Sequence, residues 1–206
     1  MVLREPRRLR HTPPTKESLD AFDSPSSPEW CRKLVHDETL IPILQYARRA
    51  KASGEDSLMA GTFKTPATIP AWQSYYRYFP RDQPQDDSDS APVAGEMLSL
   101  VSLGPGLNGH VDTAHGGVIS VLLDEITGAV AYLHMDRGSS AYTAFLNVTY
   151  KKPLPTPGVV LCRGWLEKKS AGRKLWLRAT VEDGLGNVYS EAECLYIQAV
   201  KDVQKL

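Results

Sequence analysis

Several features that would classify this chain at a glance are scarce or missing. It holds only three cysteines, Cys31, Cys162 and Cys194. That number is odd and no two stand in a CxxC spacing, which argues against a disulfide framework or zinc site and for free thiols in a reducing compartment. An excess of either charge is also missing, because 24 Lys and Arg balance 24 Asp and Glu. This excludes a generally basic surface aimed at nucleic acid or membrane, and leaves any anion binding to local clusters. There is no internal repeat and no coiled-coil heptad. The longest apolar stretch reads as too short and too polar to span a bilayer. At the N-terminus Arg4, Arg7, Arg8 and Arg10 are followed by no apolar h-region, so no secretory signal is expected. Pro6, Pro13 and Pro14 would interrupt the amphipathic helix of a mitochondrial presequence. The expectation is a cytoplasmic protein, with a mitochondrial location as the alternative.

What is present reads as an ordinary globular protein: 206 residues, 42% hydrophobic and 23% charged, enough for one domain with a sizeable core. Residues 1–27, rich in Pro, Ser and charge, are expected to be a disordered or arm-like tail. Residues 28–69 are expected to be an accessory helical extension. Ser27, Pro28 and Glu29 read as a helix start. Leu40, Ile43, Leu44 and Ala47 then recur at helical spacing up to a basic end at Arg48, Arg49 and Lys51. Residues 70–198 form the main domain, and 199–206 a C-terminal tail. Within the main domain Trp72 to Phe79 and Glu96 to Leu103 read as strands, separated by a polar loop from Arg81 to Pro92. Four alternating segments follow a helical stretch: Ala141 to Tyr150, Val159 to Leu166, Lys174 to Glu182 and Val188 to Ile197. In the first of these, Thr143, Phe145, Asn147 and Thr149 fall on one face. The order predicts an α+β fold in which an antiparallel sheet wraps one long central helix.

That helix lies in the stretch HVDTAHGGVISVLLDEITGAVAYLH, from His110 to His134. Val118, Ile119, Val121, Leu122, Leu123, Ile126, Val130 and Leu133 cover nearly every side of the helical wheel, the pattern of a helix buried all round. His115, Gly116 and Gly117 come directly before the apolar run, where unpaired amides and the helix dipole favour negative charge. Such a turn could hold an anion or a developing oxyanion, or it could use glycine only for close packing. Asp124 stands in mid-helix with Ser120 and Thr127 on its face. A carboxylate there must find partners, either in chemistry or at a surface or subunit interface. The nine-residue separation places His115 and Asp124 on opposite helix faces roughly 13 Å apart. They cannot act on one atom within one subunit, but two helices side by side in a C2 dimer would join them.

HGG with an Asp nine positions after the His, followed by TAFLNVTYKKPLP, resembles the HGG-type acyl-CoA thioesterases of the hotdog fold, the phenylacetate-pathway and mammalian mitochondrial and cytosolic kinds included. The resemblance covers about residues 95–198. It implies a hotdog domain acting as a homodimer or dimer of dimers, with active sites across the interface. It also implies hydrolysis of an acyl-CoA to a free acid and coenzyme A, with coenzyme A entering only as part of the substrate and no separate cofactor. By position, Asp124 would be the catalytic carboxylate, as general base or nucleophile. The amide of Gly116 would polarise the carbonyl with His115 positioning it, and Thr143 would orient the water. Asn108, or Gly109 and His110 in its place, and Gly117 would contact substrate.

Other constellations are weaker. His110, Asp112 and His115 fit no defensible metal-ligand spacing, so no metal is expected. GPGLNG lacks the Lys-Ser or Lys-Thr of a P-loop. His134 reads as a favourable helix C-terminal residue. Among the basic residues near strand ends, which include Lys151, Lys152, Lys168 and Lys174, Lys169 and Arg173 are the first candidates for coenzyme phosphates, against a solvated basic hairpin. Two further functions fit the same pattern: hydrolysis of acyl groups on a carrier protein, and acyl-CoA binding without catalysis. The pairing of Asp124 with Thr143 favours catalysis over the second. No nucleic-acid partner and no membrane span are expected.

Overall fold

The computed structural model describes residues 9–79, 95–136, 138–170 and 173–200. The expected loop from Arg81 to Pro92 lies outside these, as do the first eight residues and 201–206. In chain order the regular elements are α1 (Lys16–Phe22), α2 (Glu29–Val35), β1 (Ile41–Ile43), β2 (Trp72–Tyr78), β3 (Gly95–Leu103), β4 (Asn108–His110), β5 (Thr113–Ala114), α3 (Gly116–His134), β6 (Ser139–Tyr150), β7 (Gly158–Lys169), β8 (Lys174–Glu182) and β9 (Val188–Val200). Seven strands make one antiparallel sheet in the order β1-β2-β3-β7-β8-β9-β6, and β4 and β5 form a small separate hairpin. The sheet curves around α3, as the alternation and the family resemblance both imply.

Alternation along each strand decides what faces the helix. Met97, Val101 and Leu103 of β3, Val160, Cys162 and Leu166 of β7, and Leu175, Leu177, Ala179 and Val181 of β8 join Ile119, Leu122, Leu123, Ile126 and Val130 in one core. At Gly164 of β7 the helix comes so close that an added Cβ would lie 3.0 Å from Ile126 Cγ1 and 3.3 Å from Val130 Cγ2. A larger residue there would force the side chains of Ile126 and Val130 to shift. The expectation about membrane spanning needs correction on composition. The 19-residue helix, with mean hydropathy 1.4, is long and apolar enough to cross a bilayer. Its apolar side chains are used instead for the core, which buries eight of its residues, Thr127 among them.

The opposite face of the sheet carries a second cluster. Tyr75, Leu98, Leu100 and Leu161 project outward, and Phe22 of α1 and Cys31 of α2 cover them. Residues 16–22, within the stretch expected to be tail, are thus a helix with Phe22 fully buried. Beside this patch Glu96 is buried between the guanidinium groups of Arg77 and Arg163, the latter bonding at 2.7 and 2.9 Å. The three cysteines are buried free thiols, and burial pushes Cys31 up to about 12 and Cys194 up to about 11.

Two local expectations are corrected. The helical spacing from Leu40 to Lys51 does not make a helix. Ile41–Ile43 pair with Tyr76, Tyr75 and Ser74 as the edge strand β1, and a 3₁₀ turn follows at Tyr46–Arg48. Pro42, which has no N–H to donate to a ladder, is tolerated in an edge strand. Nor is Arg48 a solvated helix end. It is buried, and its guanidinium donates to the carbonyls of Ile69 at 2.6 Å, Met59 at 3.0 Å and Phe63 at 3.3 Å. In β6 a bulge between Thr143 and Phe145 reverses the parity. Thr143 pairs with inward-facing Tyr196, and Phe145 pairs with Leu195 and packs its ring 5.8 Å from that of Trp176. The expected common face of Thr143 and Phe145 therefore does not exist.

Candidate active site

The HGG turn is built by the β4–β5 hairpin. The amide of Ala114 donates to Leu154 and that of His115 to Leu107. Gly109 lies against His115, where a Cβ would sit 2.9 Å from His115 Cα. His115 is the N-cap of α3, with its Nδ1 accepting from the Gly117 amide at 3.0 Å. An accepting Nδ1 leaves the proton of a neutral imidazole on Nε2, which can then donate outward. The His115 carbonyl accepts from Val118 and Ile119. Of the amides in the first turn, Gly116 is the one with no acceptor among the described residues. It opens onto a groove of about 300 Å³ lined by Tyr150, Lys151, Lys152 and Leu154 among others. The hydroxyl of Tyr150 bonds the Gly116 carbonyl at 3.1 Å and lies 2.6 Å from Ser120 Oγ.

Asp124 faces elsewhere. Thr143 Oγ1 donates to its Oδ1 at 3.0 Å, and the hydroxyl of Tyr196 lies 3.0 Å from the same oxygen and 3.1 Å from the Asp124 carbonyl. Thr143 and Tyr196 are cross-strand partners on β6 and β9, so the bulge in β6 is what turns both hydroxyls toward one carboxylate. Both address Oδ1, and among the described residues nothing donates to Oδ2. Thr127, the other polar neighbour on the helix, spends its hydroxyl on the carbonyls of Leu123 and Asp124. Burial and the adjacent Asp124 carboxylate raise the pKa of Tyr196, which keeps it a donor. Asp124 lines a cavity of about 460 Å³ on its own side of α3, one that shares no lining residue with the Gly116 groove.

The neighbouring Glu125 lines the same cavity. Burial, then the charges of Asp124 and Asp56, push it up to about 7 against the pull of Lys51 and Arg48. A carboxylate raised in the folded state favours folding below its unfolded pKa near 4.5, and that advantage is lost as pH rises through about 7. Glu125→Gln is therefore expected to gain on the order of 2 kcal/mol over the parent between about pH 5 and pH 8, read by urea unfolding at both.

The remaining candidates divide. Lys169 lies at the C-terminal end of α3. It donates to the His134 carbonyl at 3.1 Å and pairs with Asp136 at 2.9 Å, completing the C-terminus of α3. It displaces His134 from that role, since burial and the Lys169 charge push His134 down to about 4 and its Nε2 is buried with no partner among the described residues. The amide of Gly117, expected at the substrate, is taken by His115. The carbonyl oxygen of the Asn108 side chain accepts from the Thr156 hydroxyl. Arg173 is exposed just before β8. Lys151 and Lys152 line the Gly116 groove instead. Tyr196 and Tyr150 join these groups without a local motif in the sequence that marks them. Among the described residues no three His, Cys, Asp or Glu side chains gather as a metal site would need.

A sequence model of the thioesterase superfamily matches residues 112–177, from just before the HGG turn into the start of β8. The match spans the central helix and the strands β6 and β7 that follow it. Acyl-coenzyme A thioesterase THEM4 of Mus musculus is 37% identical over 107 residues, 52% of this chain and 44% of that protein. The Bos taurus protein of the same name is 34% identical over 102 residues, 49% of this chain and 40% of its own length. The chain thus covers under half the length of these relatives. A thioesterase from Haemophilus influenzae superposes with a TM-score of 0.50 over 64% of this chain and 82% of its own, at 11% identity, a likeness of fold alone. The segment matched by the family model holds the HGG turn, Asp124 and Thr143, while Tyr196 lies beyond it.

Proposed function

We infer that the chain hydrolyses acyl-CoA thioesters at a site assembled from two copies of itself. One observation carries this reading: within one chain the free Gly116 amide and the Asp124 carboxylate open onto separate cavities, so each is half of a site. Two chains related by a C2 axis place one chain's Gly116 groove against the other's Asp124 cavity. The thioester carbonyl then lies at the Gly116 amide and the Nε2–H of His115, donors preset for the oxyanion. Asp124, held through Oδ1 by Thr143 and Tyr196, uses Oδ2 to take a proton from water. The resulting hydroxide adds to the carbonyl carbon. The oxyanion collapses, the C–S bond breaks, and the coenzyme A thiolate recovers the proton from Asp124. Lys152, beside the Gly116 groove, supplies positive charge for the coenzyme phosphates, while Lys151 there is paired with Glu191 at 2.6 Å. The names of the relatives support acyl-CoA as the thioester, and no cofactor beyond the substrate's own coenzyme A enters the scheme.

The test is release of free coenzyme A thiol from a panel of short, long and aromatic acyl-CoAs by the purified chain. Steady release from at least one is expected. No release from any member overturns the reading.

A further inference from the structure

The Asp124 cavity has a direction. Asp124, Glu125, Gly128, Ala129, Tyr132 and Leu133 lie along one face of α3 at i, i+4 spacing, and all of them line it. From Asp124 to Leu133 that face runs about 13 Å. The first turn is charged, with Glu125 next to the Lys51–Asp56 ion pair. The middle is open because its residues are the small Gly128 and Ala129. At the far end the ring of Tyr132 meets that of Tyr46, with centroids 5.5 Å apart. The wall facing the helix does not come from the matched thioesterase segment. Ile43, Leu44, Tyr46 and Ala47, in the N-terminal extension, provide it.

We propose that the acyl tail lies between α3 and residues 43–47, running from the reaction centre at Asp124 to a stop formed by Tyr46 and Tyr132, so that the N-terminal extension sets the acyl length accepted. A substrate whose thioester is at Asp124 has its apolar tail directed toward the apolar end, and its last carbons meet the two rings. The polarity of the cavity favours this direction, because a tail in the opposite sense would meet Glu125, Lys51 and Asp56. The inference rests on the reading that Asp124 acts on a thioester.

The experiment measures kcat/KM for straight-chain acyl-CoAs from acetyl to palmitoyl in the full chain and two variants. Ala129→Leu narrows the middle of the cavity, and Tyr46→Ala removes half of the stop. A buried methylene is worth up to about fourfold in binding. The leucine is therefore expected to lower the ratio of the longest accepted acyl group to acetyl by about tenfold or more. Tyr46→Ala is expected to move the preferred acyl group to a longer chain. Ratios within one variant cancel a general loss of active protein, and should Ala129→Leu fail to fold, the Tyr46→Ala profile decides alone. A chain-length profile unmoved in the folded variants, with the parent active, overturns the proposal and leaves the thioesterase reading standing. An inactive parent overturns both.

Discussion

Asp124→Asn is expected to lower the turnover of acyl-CoA by about 10³-fold while leaving the protein folded. The variant is chosen for what it keeps. Asparagine retains an oxygen at the Oδ1 position, where Thr143 and Tyr196 donate at 3.0 Å. The buried Tyr196 hydroxyl keeps its acceptor, and the thermal midpoint should shift by no more than about 2 °C. What changes is the other oxygen: an amide nitrogen replaces Oδ2 and cannot take a proton from water. Loss of kcat with KM nearly unchanged is the signature of a group needed in the transition state rather than for binding. Asp124→Ala would be harder to read, because it leaves the Tyr196 hydroxyl without its side-chain acceptor. Steady-state kinetics together with a thermal melt separates the two effects. Undiminished turnover in a folded Asn variant would remove Asp124 from the mechanism.

The second large effect concerns stability. Arg48→Met is expected to cost on the order of 3–5 kcal/mol, measured by urea denaturation. Methionine replaces the aliphatic stem but leaves the carbonyls of Met59, Phe63 and Ile69 without the fork that joins them. These three carbonyls come from the segment that carries the chain from the 3₁₀ turn to β2, so the loss should loosen that segment first. Limited proteolysis is expected to cut between residues 43 and 69 in the variant well before the sheet. Arg48→Lys should recover only part of the stability, since one ammonium cannot reach three divergent acceptors as a planar guanidinium does. An unfolding midpoint equal to that of the parent would show that the carbonyls find water or other donors at no cost.

The strands and the central helix were legible because their signal is local. Alternation from Ala141 onward and an apolar run after HGG each follow from one element packing on one core. The HGG turn and Asp124 were legible for the same reason, since both belong to one helix and helical geometry fixes their separation. Tyr196 was not, because nothing in the local alternation of β9 distinguishes it from Cys194 or Gln198. Its role comes from pairing with Thr143, more than fifty residues away in the chain, and from a bulge that no periodicity announces. The extension misled for a different reason. Leu40, Ile43, Leu44 and Ala47 satisfy a helical period, but the ladder offered by Tyr75 and Tyr76 wins, and Pro42 was the local sign of it. Lys169 and Lys151 show the limit of charge as a guide. Only the fold decides which lysine meets a helix carbonyl and which lines a groove.

The central claim is that each active site takes Gly116 from one subunit and Asp124 from the other. It is tested most directly by mixing two inactive variants. Gly116→Pro suits the first half-site, because proline is tolerated at the first position of a helix and removes only the amide proton. His115, at φ −62° and ψ 135°, already has the extended backbone that a following proline requires. Asp124→Asn disables the other half-site. Each variant alone should be nearly inactive. Refolded together as an equal mixture, half of the dimers combine one of each, and every such dimer regains one intact site of two. Recovery of about a quarter of the parent thiol-release activity is expected. A mixture no more active than its separate components would contradict it.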